Sequence, residues 1–193
     1  TEGVIEDRDD IQDIAHVGNP IDNKENIIDT ILASGVPSKR RHMADRSLFA
    51  SSSCGLCGKT SIDRIFVTSK PIDHKPEFST EIILSLPSKL RKAQAVFTQT
   101  GGLHAAGLFT LMGDVIIVRE DIGRHNAVDK VIGYFLQRDD LINNKILVVS
   151  GRVGFEIAQK AFVAQIPVIV AIGSPSSLAI ELCIKANITL FGF

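Results

Sequence analysis

A chain of 193 residues with 45% hydrophobic and 22% charged side chains has the size and composition of one well-buried globular domain, or at most two small ones. Its net charge of −1 excludes a general electrostatic pull toward nucleic acid or anionic membrane. No apolar run approaches the roughly 18 residues of a membrane-spanning helix.

The N-terminal ten residues are acidic, which is wrong for a signal peptide. Without an initiator Met, the chain reads as beginning inside a longer protein. Residues 11–17 fit a strand, and residues 26–33 fit either a strand or a short helix closed by Gly35. The basic run Lys39-Arg40-Arg41-His42 reads as a solvated loop. Ser79 or Thr80 caps a short helix that stops near Pro87, and residues 88–96 fit another. Helical spacing resumes over residues 103–109. Gly113-Asp114 then makes a hairpin turn into a strand over residues 115–118.

The second half alternates regularly. Residues 126–137 fit an amphipathic helix with Val128, Val131, Ile132 and Phe135 on one face. Residues 145–149 (KILVV) form a short run, apolar after Lys145, suited to a buried strand. A helix follows over residues 154–165, a strand over 167–172, a helix over 176–186 and a last strand over 188–191. Continuous apolar strands alternating with helices imply an α/β fold, with a sheet parallel over this stretch and covered on both faces.

Ser51-Ser52-Ser53-Cys54-Gly55-Leu56-Cys57-Gly58-Lys59-Thr60 is the most informative segment. Its glycines and serines describe an exposed loop rather than core. A helix beginning over residues 60–66 would, with Lys59, favour the thiolate form. A thiolate attacks sulfane sulfur and carries it as a persulfide. Two other chemistries use such a pair, half of a zinc site or a redox dithiol. The helical spacing of residues 178–184 makes the third cysteine, Cys183, core filler, and no second CxxC or paired His motif exists. An odd, low cysteine count also argues against a secreted disulfide scaffold and for a reducing compartment, the cytoplasm.

Four polar loops stand where apolar elements end: 98–104 (TQTGGLH), 119–126 (REDIGRHN), 150–154 (SGRVG) and 173–177 (GSPSS). Each is read as leading into a helix, whose free N–H groups suit phosphate. Ligands of open α/β sheets gather at the carboxyl ends of strands. Arg124 and Arg152 can clamp phosphate oxygens in forked geometry, while His104 and His125 can donate hydrogen bonds. Glu120-Asp121 reads as a salt-bridged pair with Arg119 or Arg124. No P-loop or GxGxxG fingerprint is present.

Taken together, SSSCGLCGK at 51–59, TGGLHAAGLF at 100–109, REDIGRHNAVDKVIG at 119–133, VSGRVGFEIAQKA at 149–161 and IGSPSSLAIELC at 172–183 resemble the FdhD family. The resemblance covers residues 38–193 well and 1–37 loosely. It implies a remnant of a smaller N-terminal region over 1–37, with its upstream part absent, and a main domain over 38–193. That domain has a three-layer α/β/α arrangement like cytidine deaminase, with a mixed sheet. It also implies a cytoplasmic homodimer acting as a sulfurtransferase. A cysteine desulfurase loads sulfur onto Cys54, with Cys57 assisting or resolving the persulfide. The sulfur passes to molybdenum in a bound bis(molybdopterin guanine dinucleotide) cofactor, which then enters formate dehydrogenase. That cofactor is substrate, with no permanent cofactor or metal expected and neither nucleic acid nor membrane as partner.

The residues expected to hold the guanine-containing cofactor are Thr100, Gly101, Gly102, His104, Asp121, Arg124, His125, Ser150, Gly151, Arg152, Gly173, Ser174 and Phe193. The family chain continues past Phe193 into a Gly- and Arg-containing cofactor segment, of which Phe193 is the first residue. A deaminase needs a Glu two positions after its zinc-binding His, and His104 is followed by Ala105-Ala106, so deaminase chemistry does not carry over. The alternative function is a chaperone that holds the cofactor without cysteine chemistry.

Overall fold

The computed structural model describes residues 4–17, 27–37, 69–138 and 142–193. Cys54, Cys57, the basic run at 39–42 and the helix start expected over 60–66 lie outside them. The chain divides near residue 50 into two compact units.

In the N-terminal unit, Asp7 caps a short 3-10 turn, Arg8–Asp10, by accepting from the Asp9 N–H. The chain then enters β1 (Ile11–His16), which pairs antiparallel with β2 (Ile28–Leu32). The strand expected over 11–17 is therefore present, and the open choice over 26–33 resolves as a strand.

The larger unit opens with α1 (Thr80–Ala93), capped by Ser79, whose Oγ accepts from the Ile82 N–H at 3.3 Å. Glu81 in its first turn and Arg91 and Lys92 in its last complement the helix dipole. Pro87 does not stop this helix, contrary to the sequence expectation of two shorter ones. The buried stripe Ile83, Leu86 and Leu90 continues across the proline, and packing of that stripe outweighs the lost N–H. A break at Gln94 leads into α2 (Ala95–Thr100), which ends on Gly101 at φ +68°, a conformation that favours glycine.

The helix expected over 103–109 is instead β3 (His104–Phe109), paired antiparallel with both β4 (Val115–Asp121) and β5 (Ile146–Val149). Ala105, Ala106, Leu108 and Phe109 are all buried, so both faces of the strand are covered. A continuous apolar run of this kind carries no period that separates strand from helix. The turn expected at Gly113-Asp114 is present, with Gly113 at φ +82° and its N–H bonded to the Thr110 carbonyl at 2.9 Å.

The rest follows the predicted alternation: α3 (Arg124–Leu136), β5, α4 (Phe155–Val163), β6 (Val168–Ala171), α5 (Ser177–Ala186) and β7 (Thr189–Gly192). The sheet order is β4-β3-β5-β6-β7, with β5, β6 and β7 parallel. The sheet is mixed, as the resemblance implied. Alternate residues of β5 enter opposite cores: Leu147 and Val149 pack with α3, α4 and α5, Ile146 and Val148 with α1. That alternation makes three layers, helices on both faces of one sheet.

Candidate functional site

Because β3 and β4 run antiparallel to each other, and β3 to β5, the start of β3 and the end of β4 reach the edge where β5, β6 and β7 end. His104 stands opposite Asp121 in the register. The loop 98–104 therefore arrives at the carboxyl edge by entering a strand, not by leading into a helix as expected. The other three loops precede α3, α4 and α5 as read.

Ser150 anchors the middle of this edge. Its N–H donates to the Ala105 carbonyl at 2.9 Å, and its Oγ accepts from the Ala105 N–H at 2.8 Å. The same Oγ lies 3.4 Å from His104 Nδ1, which holds the ring against the loop. At Gly151 a Cβ would sit 3.4 Å from the His104 ring and 3.8 Å from Arg124 Cδ, so this glycine lies between the two side chains. Next along the edge, a Cβ at Gly173 would come within 3.2 Å of Arg152 Cγ and N, so any side chain there would press Arg152 back by a few tenths of an ångström. The Phe193 N–H donates to the Ala171 carbonyl at 3.0 Å, placing the half-exposed Phe193 just beyond β7 at the same edge.

Helices α3 and α4 begin on Gly123 and Gly154, without side-chain caps, whereas Ser79 and Ser176 cap α1 and α5. Arg124 follows the first of these uncapped starts. Its Nε is buried and has no hydrogen-bond partner among the described residues. A cation at the positive end of a helix is unfavourable unless an anion joins it. Glycine cradles, open helix starts and an arginine with a polar atom to satisfy together suit a phosphate-bearing ligand.

Two predicted residues are engaged elsewhere. Asp121 Oδ1 accepts from the Gly123 N–H at 2.9 Å and from Asn126 Nδ2 at 3.0 Å, while Oδ2 pairs with Lys130 at 2.7 Å. The lysine, then the Gly123 amide, hold its carboxyl down at about 2. Its structural work is to close the loop before α3, and the expected Arg pairing is replaced by Lys130. His125 points to α4, 3.3 Å from Glu156 Oε2. Burial lowers its affinity for a proton, partly offset by Glu156, with Arg124 also opposing the charged form.

The sequence did not signal the role of Glu120. Its carboxylate accepts from the Val96 N–H at 2.9 Å and the Phe97 N–H at 2.7 Å, capping α2 from β4. Nor did it signal a cleft of about 330 Å³ between the α1–α2 junction and the sheet edge, whose lining includes Arg91, Gln94, Phe97, His104, Ser150 and Ile172. Such positions depend on partners far along the chain, and no local pattern announces them. Thr100 ends α2 beside this cleft, its Oγ1 donating to the Val96 carbonyl. Ser174 follows Gly173 in the loop to α5.

Cys183 is core filler, as its spacing predicted: it is buried in α5, and desolvation pushes its thiol up to about 12. Among the described residues, no group of three or more His, Cys, Asp and Glu is placed to hold a metal ion, and no helix is long and apolar enough to cross a membrane.

Fold and edge define a three-layer α/β protein with a phosphate-suited loop cluster at the ends of its strands. The chain belongs to the FdhD/NarQ family, whose model matches residues 1–193. It is 46% identical over 200 residues to the sulfur carrier protein FdhD of Streptomyces avermitilis, covering all of this chain and 71% of that one. The sulfur carrier proteins FdhD of Mycobacterium tuberculosis and Saccharolobus solfataricus are each 41% identical, with all of this chain and 72% and 70% of theirs covered. A Desulfotalea psychrophila crystal structure assigned as a formate dehydrogenase accessory protein shares the fold, with a TM-score of 0.67 and 24% identity. The match covers 96% of this chain and 65% of that one.

Proposed function

We propose that this chain carries sulfur on Cys54 and delivers it to the molybdenum of a bis(molybdopterin guanine dinucleotide) substrate before that cofactor enters formate dehydrogenase. The observation that carries the reading is family membership over the whole chain, with relatives named as sulfur carriers. It is supported by the CxxC segment in the sequence and the phosphate-suited edge.

In the loading step the Cys54 thiolate attacks the sulfane sulfur of a cysteine desulfurase persulfide. One S–S bond forms, another breaks, and the donor leaves as a thiolate. For release, the Cys57 thiolate attacks Sγ of Cys54 and expels the terminal sulfur as hydrosulfide. The two cysteines are thereby oxidised to a disulfide, and the sulfane sulfur is reduced. Arg124, Arg152 and the open starts of α3 and α4 hold the phosphates of the dinucleotide meanwhile. The three-layer arrangement is that of cytidine deaminase in this reading, without its chemistry, since the position two after His104 is the buried Ala106. A cytoplasmic homodimer, with formate dehydrogenase as recipient, completes it.

The test is cyanolysis after incubation with a cysteine desulfurase and cysteine. Releasable sulfur is expected on the wild-type chain and none on Cys54→Ala, which keeps its fold and loses activation of formate dehydrogenase. Full activation by a variant lacking both cysteines overturns sulfur carriage and leaves a cofactor-holding chaperone.

A further inference from the structure

Among the described residues, β4 ends the sheet and pairs only with β3. Its side chains alternate between the two layers. Val118 packs into the core beneath α1 and Glu120 caps α2, whereas Ile117 enters the core of α3 and Arg119 lies over Tyr134 of that helix. A cleft of about 440 Å³ opens on the α3 side, lined by Arg119, Glu120, Lys130, Gly133, Tyr134 and Gln137. Lys130, Tyr134 and Gln137 recur at helical spacing, so one stripe of α3 forms its wall. A Cβ at Gly133 would meet no atom within 4 Å, which leaves the cleft open there.

The charges around this cleft are unequally engaged. Lys130 pairs with Asp121 at 2.7 Å and donates to the Glu120 carbonyl at 3.0 Å. The Glu120 carboxylate turns to the other layer, where it accepts from the Val96 and Phe97 N–H groups. Arg119 and Arg138 are exposed, and their contacts are of another kind. They donate to the Val118 and Tyr134 carbonyls at 3.2 and 3.4 Å. Their guanidinium carbons lie 5.3 and 3.7 Å from the centroid of the Tyr134 ring, whose π face holds both cations beside it. Carboxylates match the arginine fork best, and neither arginine meets one among the described residues.

We infer that this cleft is the docking surface for the protein that donates sulfur, and that an acidic segment of the donor binds it through carboxylates on Arg119 and Arg138. This rests on the sulfur-carrier reading above and adds the place and chemistry of one partner. Arginine and tyrosine concentrate binding energy at protein interfaces. A chain of net charge −1, with Glu120 and Asp121 beside the two arginines, does not suit a nucleic-acid backbone. Position distinguishes donor from recipient. The edge suited to the cofactor has its cleft on the α1–α2 side, and a recipient has to meet that edge to take the cofactor. A donor has to reach only the thiol, and one held on the α3 side leaves the cofactor cleft uncovered.

The experiment measures how fast cyanolysable sulfur appears on the whole chain from two donors. One is a cysteine desulfurase with cysteine, and the other is free cysteine persulfide, which needs no docking. With either, the Cys54 thiolate attacks the sulfane sulfur and the donor leaves as a thiolate. Arg119→Glu/Arg138→Glu should load about tenfold more slowly from the desulfurase. It should load at the wild-type rate from cysteine persulfide, which also shows that it is folded. Added salt should slow the desulfurase reaction of the wild type and hardly change that of the variant. Arg119→Lys/Arg138→Lys keeps the charge without the fork and should fall between them. Lys92→Glu/Lys185→Glu makes the same change of net charge on exposed residues of α1 and α5 and should load normally.

Equal desulfurase rates for wild type and Arg119→Glu/Arg138→Glu overturn the inference alone. So does equal slowing by Lys92→Glu/Lys185→Glu, or slowing of the arginine variant with both donors. Loading of the wild type by cysteine persulfide but not by the desulfurase also overturns it and leaves sulfur carriage standing. If neither donor loads the wild type, the sulfur-carrier reading fails and this inference with it.

Discussion

Asp121 shows how one side chain can be read correctly for place and differently for role. It stands at the predicted edge, but Lys130, the Gly123 amide and Asn126 occupy its oxygens. Its folded pKa of about 2 is below the ordinary 3.8, so its contribution to stability is present above 3.8 and is lost as pH falls toward 2. His125 acts earlier on the same descent. Burial disfavours its protonated form, so the unfolded chain takes up the proton first and stability declines as pH drops below about 6.5. Urea denaturation across pH should show both declines. In His125→Asn the upper decline should disappear. Asp121→Asn should be less stable than wild type at neutral pH, with the difference closing as pH approaches 2. A constant difference would mean that the carboxylate charge contributes nothing.

Helix α2 is six residues long and too short to hold itself in water. Its start is held by Glu120, 24 residues from Val96 and 23 from Phe97, and its end by Gly101. Glu120→Ala should cost about 1–2 kcal/mol, as for a lost charged helix cap, seen as a lower urea midpoint with an unchanged slope. It should also raise amide exchange at Val96 and Phe97, which a purely surface role would not do. In α1 the effect is opposite in sign. Pro87 lies mid-helix, where it removes a donor, so Pro87→Ala should raise stability by about 1–3 kcal/mol in the same assay. Local propensity predicts a stop at this proline, because propensity is all that a short window contains. The buried stripe through Ile83, Leu86 and Leu90 becomes decisive only when a sheet lies beneath it.

Across the whole molecule, the layers interlock through strands buried on both faces. Phe155 is fully buried at the start of α4, within the core shared by α3, α4 and α5. Phe155→Ala should cost about 3–5 kcal/mol, with one urea transition moving as a unit rather than splitting. A split transition would show that the three helices do not form a single cooperative layer with the sheet.

Most of the alternation from α3 to β7 was legible because periodicity and turn chemistry are properties of neighbours in the chain. The cysteine pair and the glycine- and arginine-bearing loops were legible for the same reason, since residue type and spacing define them. Residues 103–109 were not, because a strand covered on both faces loses the two-residue period by which strands are recognised. Tertiary structure alone decided that the loop at 98–104 joins the other three, because antiparallel pairing of β3 with β5 brings its start to their ends. It alone decided that Glu120 caps α2 and that Gln94 faces a cleft, because each contact joins segments that only the packed sheet brings together.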